Sequence, residues 1–347
     1  MTTLDVETIH GLAPVVGDLP GEQVPYYLPS GEGKRVELGN QLWTAIARSA
    51  DSGGGFDAAF ILGPRGSGAP FHSLATQRSY FVFDGAVQFW LPGESRVLGP
   101  GDSIHVPDGV PVAYRFLHHL CRVLFWSAPG GALDDVLTST PEVAQHIYTA
   151  HGIVDEPGIP AAWKTHDLTQ VDVADIWDDA LPAGTEPYFL RAHTGDHREW
   201  PDAINTFGAR GVNTDHRYFS VTTLGAKQPY IPQHFHQQHT ENFFCLSGRI
   251  WLYVNGTEVL VTPGDYVHAP AGTIHSYALG AHNTRMLGVL TSDVFEPFFD
   301  RTGEATTDAV YTEGLVNPTT LMDKLGQISD LDVVMVGPPP QSGYAHL

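Results

Sequence analysis

The sequence has few cysteines and few basic residues. Its two cysteines, Cys121 and Cys245, form no CxxC pair and suggest no disulfide framework. Lys and Arg together number 18 against 39 Asp and Glu, which gives a formal net charge of -21, and no cluster of cations stands out. Nucleic acids and anionic membranes are bound by clustered cations, so we expect neither as a partner.

Long hydrophobic runs are also missing. No apolar stretch approaches the ~20 residues that a membrane-spanning helix needs. The first residues, MTTLDVETIHGLAP, have neither the basic nor the apolar region of a signal peptide. We therefore expect a cytoplasmic protein.

Glycine and proline, by contrast, are abundant. The chain contains 37 Gly and 26 Pro, which favours many turns, and 42% hydrophobic residues, which allow a sizeable core. Short β-branched or aromatic segments lie between these turns and predict strands. In the second half we predict strands at Tyr218–Leu224, Asn242–Leu246, Ile250–Val254, Glu258–Val261, Tyr266–Ala269, Ser276–Leu279 and Thr284–Val289.

The chain repeats itself at a nearly constant offset, which indicates a tandem duplication. Four short motifs recur 162 or 163 residues later: Pro25–Leu28 as Pro187–Leu190, Pro70–His72 as Pro232–His234, Pro100–Asp102 as Pro263–Asp265, and Pro107–Gly109 as Pro270–Gly272. Many short strands at regular spacing predict an all-β fold, and two tandem jelly-roll β-barrels with a few short helices satisfy the pattern.

The repeat also suggests domain boundaries. We expect an N-terminal barrel over residues 1–150, a connector over 151–182 and a C-terminal barrel over 183–347. Two short helices are predicted, at Pro141–Ala150 and Pro318–Leu325.

The second copy carries a metal-ligand pattern. His234 and His236 are two residues apart, so on a strand both imidazoles point to the same face. Glu241 and His275 follow at positions from which they can return to the same cavity. Three imidazoles and one carboxylate suit a divalent first-row transition metal, and the lack of thiolate ligands argues against a structural zinc site.

The first copy has lost this pattern. His72 matches His234, but Leu74, Ser79 and Val112 stand where His236, Glu241 and His275 stand in the second copy. One remaining imidazole does not hold a metal, so we expect the first barrel to be structural.

Two further residues of the second copy have simpler interpretations. His239 lies between His236 and Glu241, and we expect it to be solvated. Cys245 alternates in phase with Glu241 and is expected to be a buried, inert thiol.

The arrangement HxHxxxxE, then PGD, then PxGxxH resembles the cupin superfamily, and two copies make a bicupin. The segments PQHFHQQHTENFF, GVLTSDVFEPFF and PYFLRAHTGDH resemble the quercetin 2,3-dioxygenases, which cleave flavonols. The resemblance covers roughly residues 20–330 and is strongest over 218–300. Fungal members keep the metal in the N-terminal barrel, whereas here only the C-terminal barrel has the ligands.

The resemblance implies roles for individual residues. His234, His236 and His275 would be metal ligands, and Glu241 would be both a ligand and the base that takes the flavonol hydroxyl proton. Asn242, Phe243 and Tyr277 would bind the substrate. The implied reaction consumes a flavonol such as quercetin and dioxygen, and it yields a depside and carbon monoxide.

The sequence leaves alternatives open. The metal could be Mn, Fe, Co, Ni or Cu, one ion per chain, because such a ligand set accepts them all. A dioxygenase of another enolisable or catechol-like aromatic compound fits the motif equally well. An oxalate decarboxylase or germin-like manganese enzyme would require an arginine near the metal, with Arg249 and Arg285 as candidates. A fourth interpretation is a non-catalytic cupin that binds a small molecule. A homodimer is compatible with the sequence, since symmetric homodimers are the commonest assembly.

Overall fold

The fold is almost entirely β-structure. The computed structural model describes residues 5–138, 148–149, 152–153, 164–165, 180–314, 324 and 327–341. In that part of the chain, no helix is long and apolar enough to cross a membrane.

The strands are short and closely spaced, as the turn-rich sequence predicts. In chain order they are β1 (Val15–Val16), β2 (Tyr26–Leu28), β3 (Lys34–Leu38), β4 (Gln41–Ala47), β5 (Asp57–Gly63), β6 (Gly68–Ser73), β7 (Gln77–Asp84), β8 (Val87–Leu91), β9 (Glu94–Leu98), β10 (Ser103–Val106), β11 (Val112–Phe116), β12 (Cys121–Ala128), β13 (Tyr148–Thr149), β14 (Gly152–Ile153), β15 (Lys164–Thr165), β16 (Tyr188–Leu190), β17 (Asp196–Trp200), β18 (Ala203–Ala209), β19 (Tyr218–Gly225), β20 (Gln233–Phe235), β21 (Thr240–Ser247), β22 (Ile250–Val254), β23 (Thr257–Val261), β24 (Tyr266–Ala269), β25 (His275–Leu279), β26 (Thr284–Thr291), β27 (Glu304–Thr306) and β28 (Val334–Gly337). The strands predicted in the second copy are confirmed, with ends that differ by two residues or fewer.

Helices are few among the described residues. They are α1 (Val6–His10), α2 (Ala132–Thr138), α3 (Pro297–Thr302) and a 3-10 turn at Gly211–Asn213. Of the helix predicted at Pro141–Ala150, only Tyr148–Thr149 are described, and they form β13. The helix predicted at Pro318–Leu325 lies outside the described residues except for Lys324.

The chain divides into two units, and the unit that bears the metal-ligand pattern comprises residues 1–32, 195–211 and 216–347. One of its sheets has nine strands, in the order β1-β2-β24-β21-β26-β19-β18-β17-β27, and the other has five, in the order β23-β22-β25-β20-β28. Phe243 and Cys245 of the first sheet pack with Ile250, Leu252 and Leu279 of the second in one buried cluster. The two sheets therefore pack face to face as a jelly roll.

The other unit comprises residues 33–194 and 212–215. Its sheets have the orders β16-β10-β7-β12-β5-β4-β3 and β15-β6-β11-β8-β9. Large aromatic side chains fill the space between them, among them Trp43, Tyr80, Phe89, Tyr114 and Phe125, all nearly inaccessible to solvent.

The two units differ from the domain boundaries expected from the repeat, and the difference concerns the first strand of each copy. Residues 1–32 belong to the metal-bearing unit because β2 pairs with β24, with Tyr26 opposite His268. Residues 183–194 belong to the other unit because β16 pairs with β10, with Tyr188 opposite His105. Strand pairing over a long sequence separation produces this exchange, and local sequence patterns carry no signal for it.

Candidate metal centre and cavity

Three imidazoles of the metal-bearing unit converge on one point. His234 on β20 lies directly opposite His275 on β25, and His236 follows immediately after β20. One ring nitrogen from each of the three residues lies within 4.8 Å of the others. The spacing of two residues on an extended segment and the pairing of adjacent strands together place the three rings at one site.

The backbone determines which nitrogen of each ring faces that point. Nδ1 of His234 lies 3.0 Å from the carbonyl oxygen of Pro232, and Nδ1 of His275 lies 2.9 Å from that of Thr273. Nδ1 of His236 is hydrogen-bonded to the carbonyl oxygen of Asp332. A carbonyl only accepts, so each Nδ1 carries the proton and each Nε2 keeps its lone pair.

Glu241 on β21 completes the group. Its Oε2 lies 2.8 Å from Nε2 of His275, and its Oε1 lies 3.6 Å from Nε2 of His236. Burial tends to raise the pKa of Glu241, but the adjacent imidazoles outweigh it and hold the pKa well below its usual range. Burial also lowers the pKa of His234 to about 4. The lowered pKa of Glu241 keeps its carboxylate ionised, and the lowered pKa of His234 keeps that ring neutral at neutral pH.

These residues fit a divalent metal. The buried Nε2 atoms of His236 and His275 make no hydrogen bond among the described residues. Because the proton of His275 is on Nδ1, its Nε2 cannot donate to Oε2 of Glu241, and the 2.8 Å approach of these two atoms is costly unless they face an ion. The lone pairs of the three rings and the carboxylate point to the same place, and each ring is held by a carbonyl, as metal-bound histidines usually are. His234, His236, His275 and Glu241 are therefore able to hold a first-row divalent metal, whose identity the ligand set leaves open.

His239 was expected to be solvated, and this expectation is wrong. The residue is only 2% exposed. Its ring stacks on Phe295 with 5.0 Å between ring centroids, and its Nδ1 lies 2.8 Å from Oδ2 of Asp332. Asp332 lies more than 90 residues further along the chain, so no local pattern indicated the contact. Cys245, in contrast, is buried as expected, and burial raises the pKa of its thiol to about 12.

The site opens onto a large apolar cavity of about 410 Å³. His234, Glu241 and His275 line one part of its wall. The aromatic residues of the wall are Trp200, Phe243, Tyr277, Phe295, Phe298 and Phe299. Only Phe243 and Tyr277 were predicted, because the others come from β17 and from the segment around α3, remote from the metal motif.

Asn242 does not line this cavity, which differs from its predicted role in substrate binding. Neighbouring residues on a strand face opposite sides, so Glu241 and Phe243 point into the cavity and Asn242 points away. Its side-chain oxygen lies 2.6 Å from the hydroxyl of Tyr266 and 2.9 Å from Nδ1 of His268, and its amide donates to the carbonyl of Val289 at 2.8 Å. Asn242 thus belongs to a buried polar network on the far side of the sheet.

In the other unit, the corresponding positions form part of the core. Leu74 and Val112 are buried in its apolar cluster. The hydroxyl of Ser79 lies 3.1 Å from Nδ1 of His105. His72 is fully buried, with its Nδ1 2.7 Å from the carbonyl oxygen of Pro70. These four side chains do not form a metal-ligand set.

Comparisons with known proteins agree on the family. The cupin domain family matches residues 220–289. The quercetin 2,3-dioxygenase of Bacillus subtilis is 34% identical over 296 residues, which are 82% of this chain and 88% of the relative. The quercetin 2,3-dioxygenase of Aspergillus japonicus is 26% identical over 152 residues, 41% of this chain and 43% of the relative.

Solved structures show the same fold. A structure of Bacillus subtilis oxalate decarboxylase, described for its Mn(II) centres, superposes with a TM-score of 0.54 at 16% identity, covering 83% of this chain and 80% of that one. Protein Ylba from E. coli superposes with a TM-score of 0.53 at 11% identity, covering 83% of this chain and 97% of that one. At such low identity these two structures support the bicupin architecture alone, whereas the extent of the similarity to the Bacillus subtilis enzyme shows that the chain belongs to the quercetin 2,3-dioxygenase family of cupin dioxygenases.

Proposed function

We propose that the protein is a metal-dependent flavonol 2,4-dioxygenase, which cleaves a flavonol such as quercetin into a depside and carbon monoxide. One observation carries the proposal: three imidazoles and a carboxylate converge at the wall of a cavity whose remaining lining is mainly apolar and aromatic. The ligand group would hold one divalent metal, and the cavity would hold a flat aromatic substrate beside it.

The shape and chemistry of the cavity support an aromatic substrate. Phe295 and Phe298 stack with 4.6 Å between ring centroids, and Trp200 stacks on Phe299 at 5.4 Å. Such surfaces bind planar rings through apolar contact and aromatic stacking. The same lining excludes water, which strengthens charge interactions at the metal and protects reactive species from hydrolysis.

Glu241 is positioned to act as a base. Its carboxylate lines the cavity beside His275, and its lowered pKa keeps it ionised, so its oxygens face the substrate as acceptors. In the proposed reaction it removes the proton from the 3-hydroxyl group of the flavonol. A bound metal would supply charge stabilisation for the resulting enolate. One flavonol and one dioxygen then yield one depside and one carbon monoxide, so both atoms of the dioxygen remain in the depside.

The cavity does not favour the rival reaction on oxalate. A small dianion requires a cationic partner, but the described residues that line the cavity include no Arg or Lys. Arg249 donates from Nε to the carbonyl of Gly280 at 2.9 Å. Arg285 precedes Met286, which does line the cavity, and alternation along β26 turns the arginine to the other side.

The decisive experiment measures carbon monoxide release from quercetin in air by protein whose metal content has been quantified. We expect metal-dependent release with equal oxygen uptake, and no turnover of oxalate. Absence of release from protein that holds close to one metal per chain would reject flavonol cleavage. A test of other enolisable or catechol-like aromatics would then identify a different dioxygenase reaction, and no turnover of any of them would favour a non-catalytic binding protein.

A further inference from the structure

Asp332 contacts the metal-ligand segment at several points. Its carboxylate accepts hydrogen bonds from three consecutive backbone N–H groups: from Gln237 at 2.8 Å, Gln238 at 2.8 Å and His239 at 3.1 Å. Its own carbonyl oxygen accepts from Nδ1 of His236. A single residue of the 327–341 segment thus holds a ligand ring and the turn that leads to Glu241.

The same carboxylate also orients an imidazole. Oδ2 of Asp332 lies 2.8 Å from Nδ1 of His239, and this directs Nε2 of His239 towards Glu241, 3.8 Å from Oε1. The ring of His239 also packs against Phe295 and against His236, whose ring centroid is 4.0 Å away. The three side chains therefore form a buried chain that ends at the proposed base.

The two oxygens of Glu241 have different neighbours. Oε2 lies 2.8 Å from the ligand residue His275, whereas Oε1 faces His236 and His239. A carboxylate that serves as both a ligand and a base must keep one orientation while a proton is transferred, and groups behind it set that orientation.

We propose that His239 and Asp332 are positioning residues for Glu241: Asp332 fixes the ring of His239, and His239 holds Oε1 of Glu241 in place. This inference depends on the proposed function for the role of Glu241 as the base. If Asp332 only capped the turn, its three hydrogen bonds from backbone N–H groups would be enough. The fourth hydrogen bond, to the His239 ring that faces Glu241, serves a further purpose. The arrangement does not involve His234, so it acts on the base more than on the whole ligand set.

The test uses His239→Phe as the main variant. Phenylalanine keeps the stacking on Phe295 but presents no nitrogen to Glu241. We expect kcat for carbon monoxide release to fall about tenfold or more, with KM within about twofold and full metal loading when the metal is in excess. His239→Gln keeps a side-chain nitrogen that can face Oε1 of Glu241, and we expect it to restore part of kcat. Asp332→Asn removes the negative charge and one of the two accepting oxygens, which leaves a single oxygen for four N–H donors, and it should change kcat in the same direction as His239→Phe. Asp330→Asn is the matched control, since it removes an exposed ion pair with Arg301 in the same segment and should leave kcat unchanged.

A second readout does not depend on the substrate. Metal-free protein is loaded with Mn(II), and its electron paramagnetic resonance spectrum is recorded for the wild type and each variant. We expect His239→Phe and Asp332→Asn to change the spectrum, as Glu241→Gln does, and Asp330→Asn to leave it unchanged. Wild-type kcat together with an unchanged spectrum in His239→Phe would overturn the inference. If the wild type releases no carbon monoxide, the proposed function fails, while the spectra still decide whether His239 holds Glu241. Thermal unfolding of each variant identifies any that does not fold. If Asp332→Asn does not fold, the results for His239→Phe test the inference alone.

Discussion

His72 and His234 occupy equivalent positions in the two units and have the same hydrogen bond behind the ring. Nδ1 of His72 lies 2.7 Å from the carbonyl oxygen of Pro70, and Nδ1 of His234 lies 3.0 Å from that of Pro232. Within the part of the chain that the structure describes, only His234 has further ligand residues beside it. The local conformation that orients the imidazole has thus been kept in both copies, whereas the ligand set is present in one.

This pair leads to a prediction about metal content. We expect His72→Ala to leave the metal bound per chain unchanged, because its neighbours are core residues. His234→Ala, the matched substitution in the other unit, should lower the metal content well below one, because it removes one of three imidazoles. Elemental analysis of the purified proteins measures both. A large loss of metal in His72→Ala would mean that the metal lies in the other unit.

Substitution of the proposed base should separate binding from turnover. Glu241→Gln keeps the size of the side chain but removes its charge and its ability to take a proton. We expect turnover of quercetin to fall about 100-fold or more while part of the metal is retained. Carbon monoxide release, normalised to the metal content, measures the effect. Unchanged turnover would reject Glu241 as the base.

The aromatic wall leads to a prediction about substrate affinity. Phe298 stacks on Phe295 and lines the cavity. Phe298→Ala should raise KM for quercetin about tenfold through lost apolar contact, with kcat less affected. Val294→Ala, which trims an exposed residue of the same segment, is the control and should change neither constant. An unchanged KM in Phe298→Ala would show that the substrate does not reach this wall.

Asn242 should matter for stability and not for substrate binding. Asn242→Ala removes the buried oxygen that Tyr266 and His268 share, which costs about 1–3 kcal/mol. We expect a lower unfolding temperature for the metal-free protein and an unchanged KM for quercetin in the variant that folds. Phe243→Ala provides the contrast, because Phe243 lines the cavity and its loss should change KM. A raised KM in Asn242→Ala at full metal content would restore its predicted role in substrate binding.

Much of the architecture could be predicted because its signals are local. The four recurring motifs revealed the duplication, and the Gly and Pro turns between β-branched segments predicted seven strands of the metal-bearing unit, β19 and β21 to β26, to within two residues. The side-chain period of a strand placed His234 and His236 on one face, and the same period separates Glu241 from Asn242. The resemblance placed Asn242 among the substrate residues without regard to that alternation, which turns its side chain away from the cavity.

The sequence by itself determined the two β-rich repeats, the group of His234, His236, Glu241 and His275, and the loss of that group from the first copy, since these depend on spacing along short segments. Only the tertiary structure decided which unit each first strand joins, which aromatic residues form the cavity wall, and that Asp332 buries and orients His239. Those features depend on contacts between segments that lie far apart in the chain. Such contacts form only when the sheets assemble, so they leave no periodic pattern in the sequence of the residues that make them.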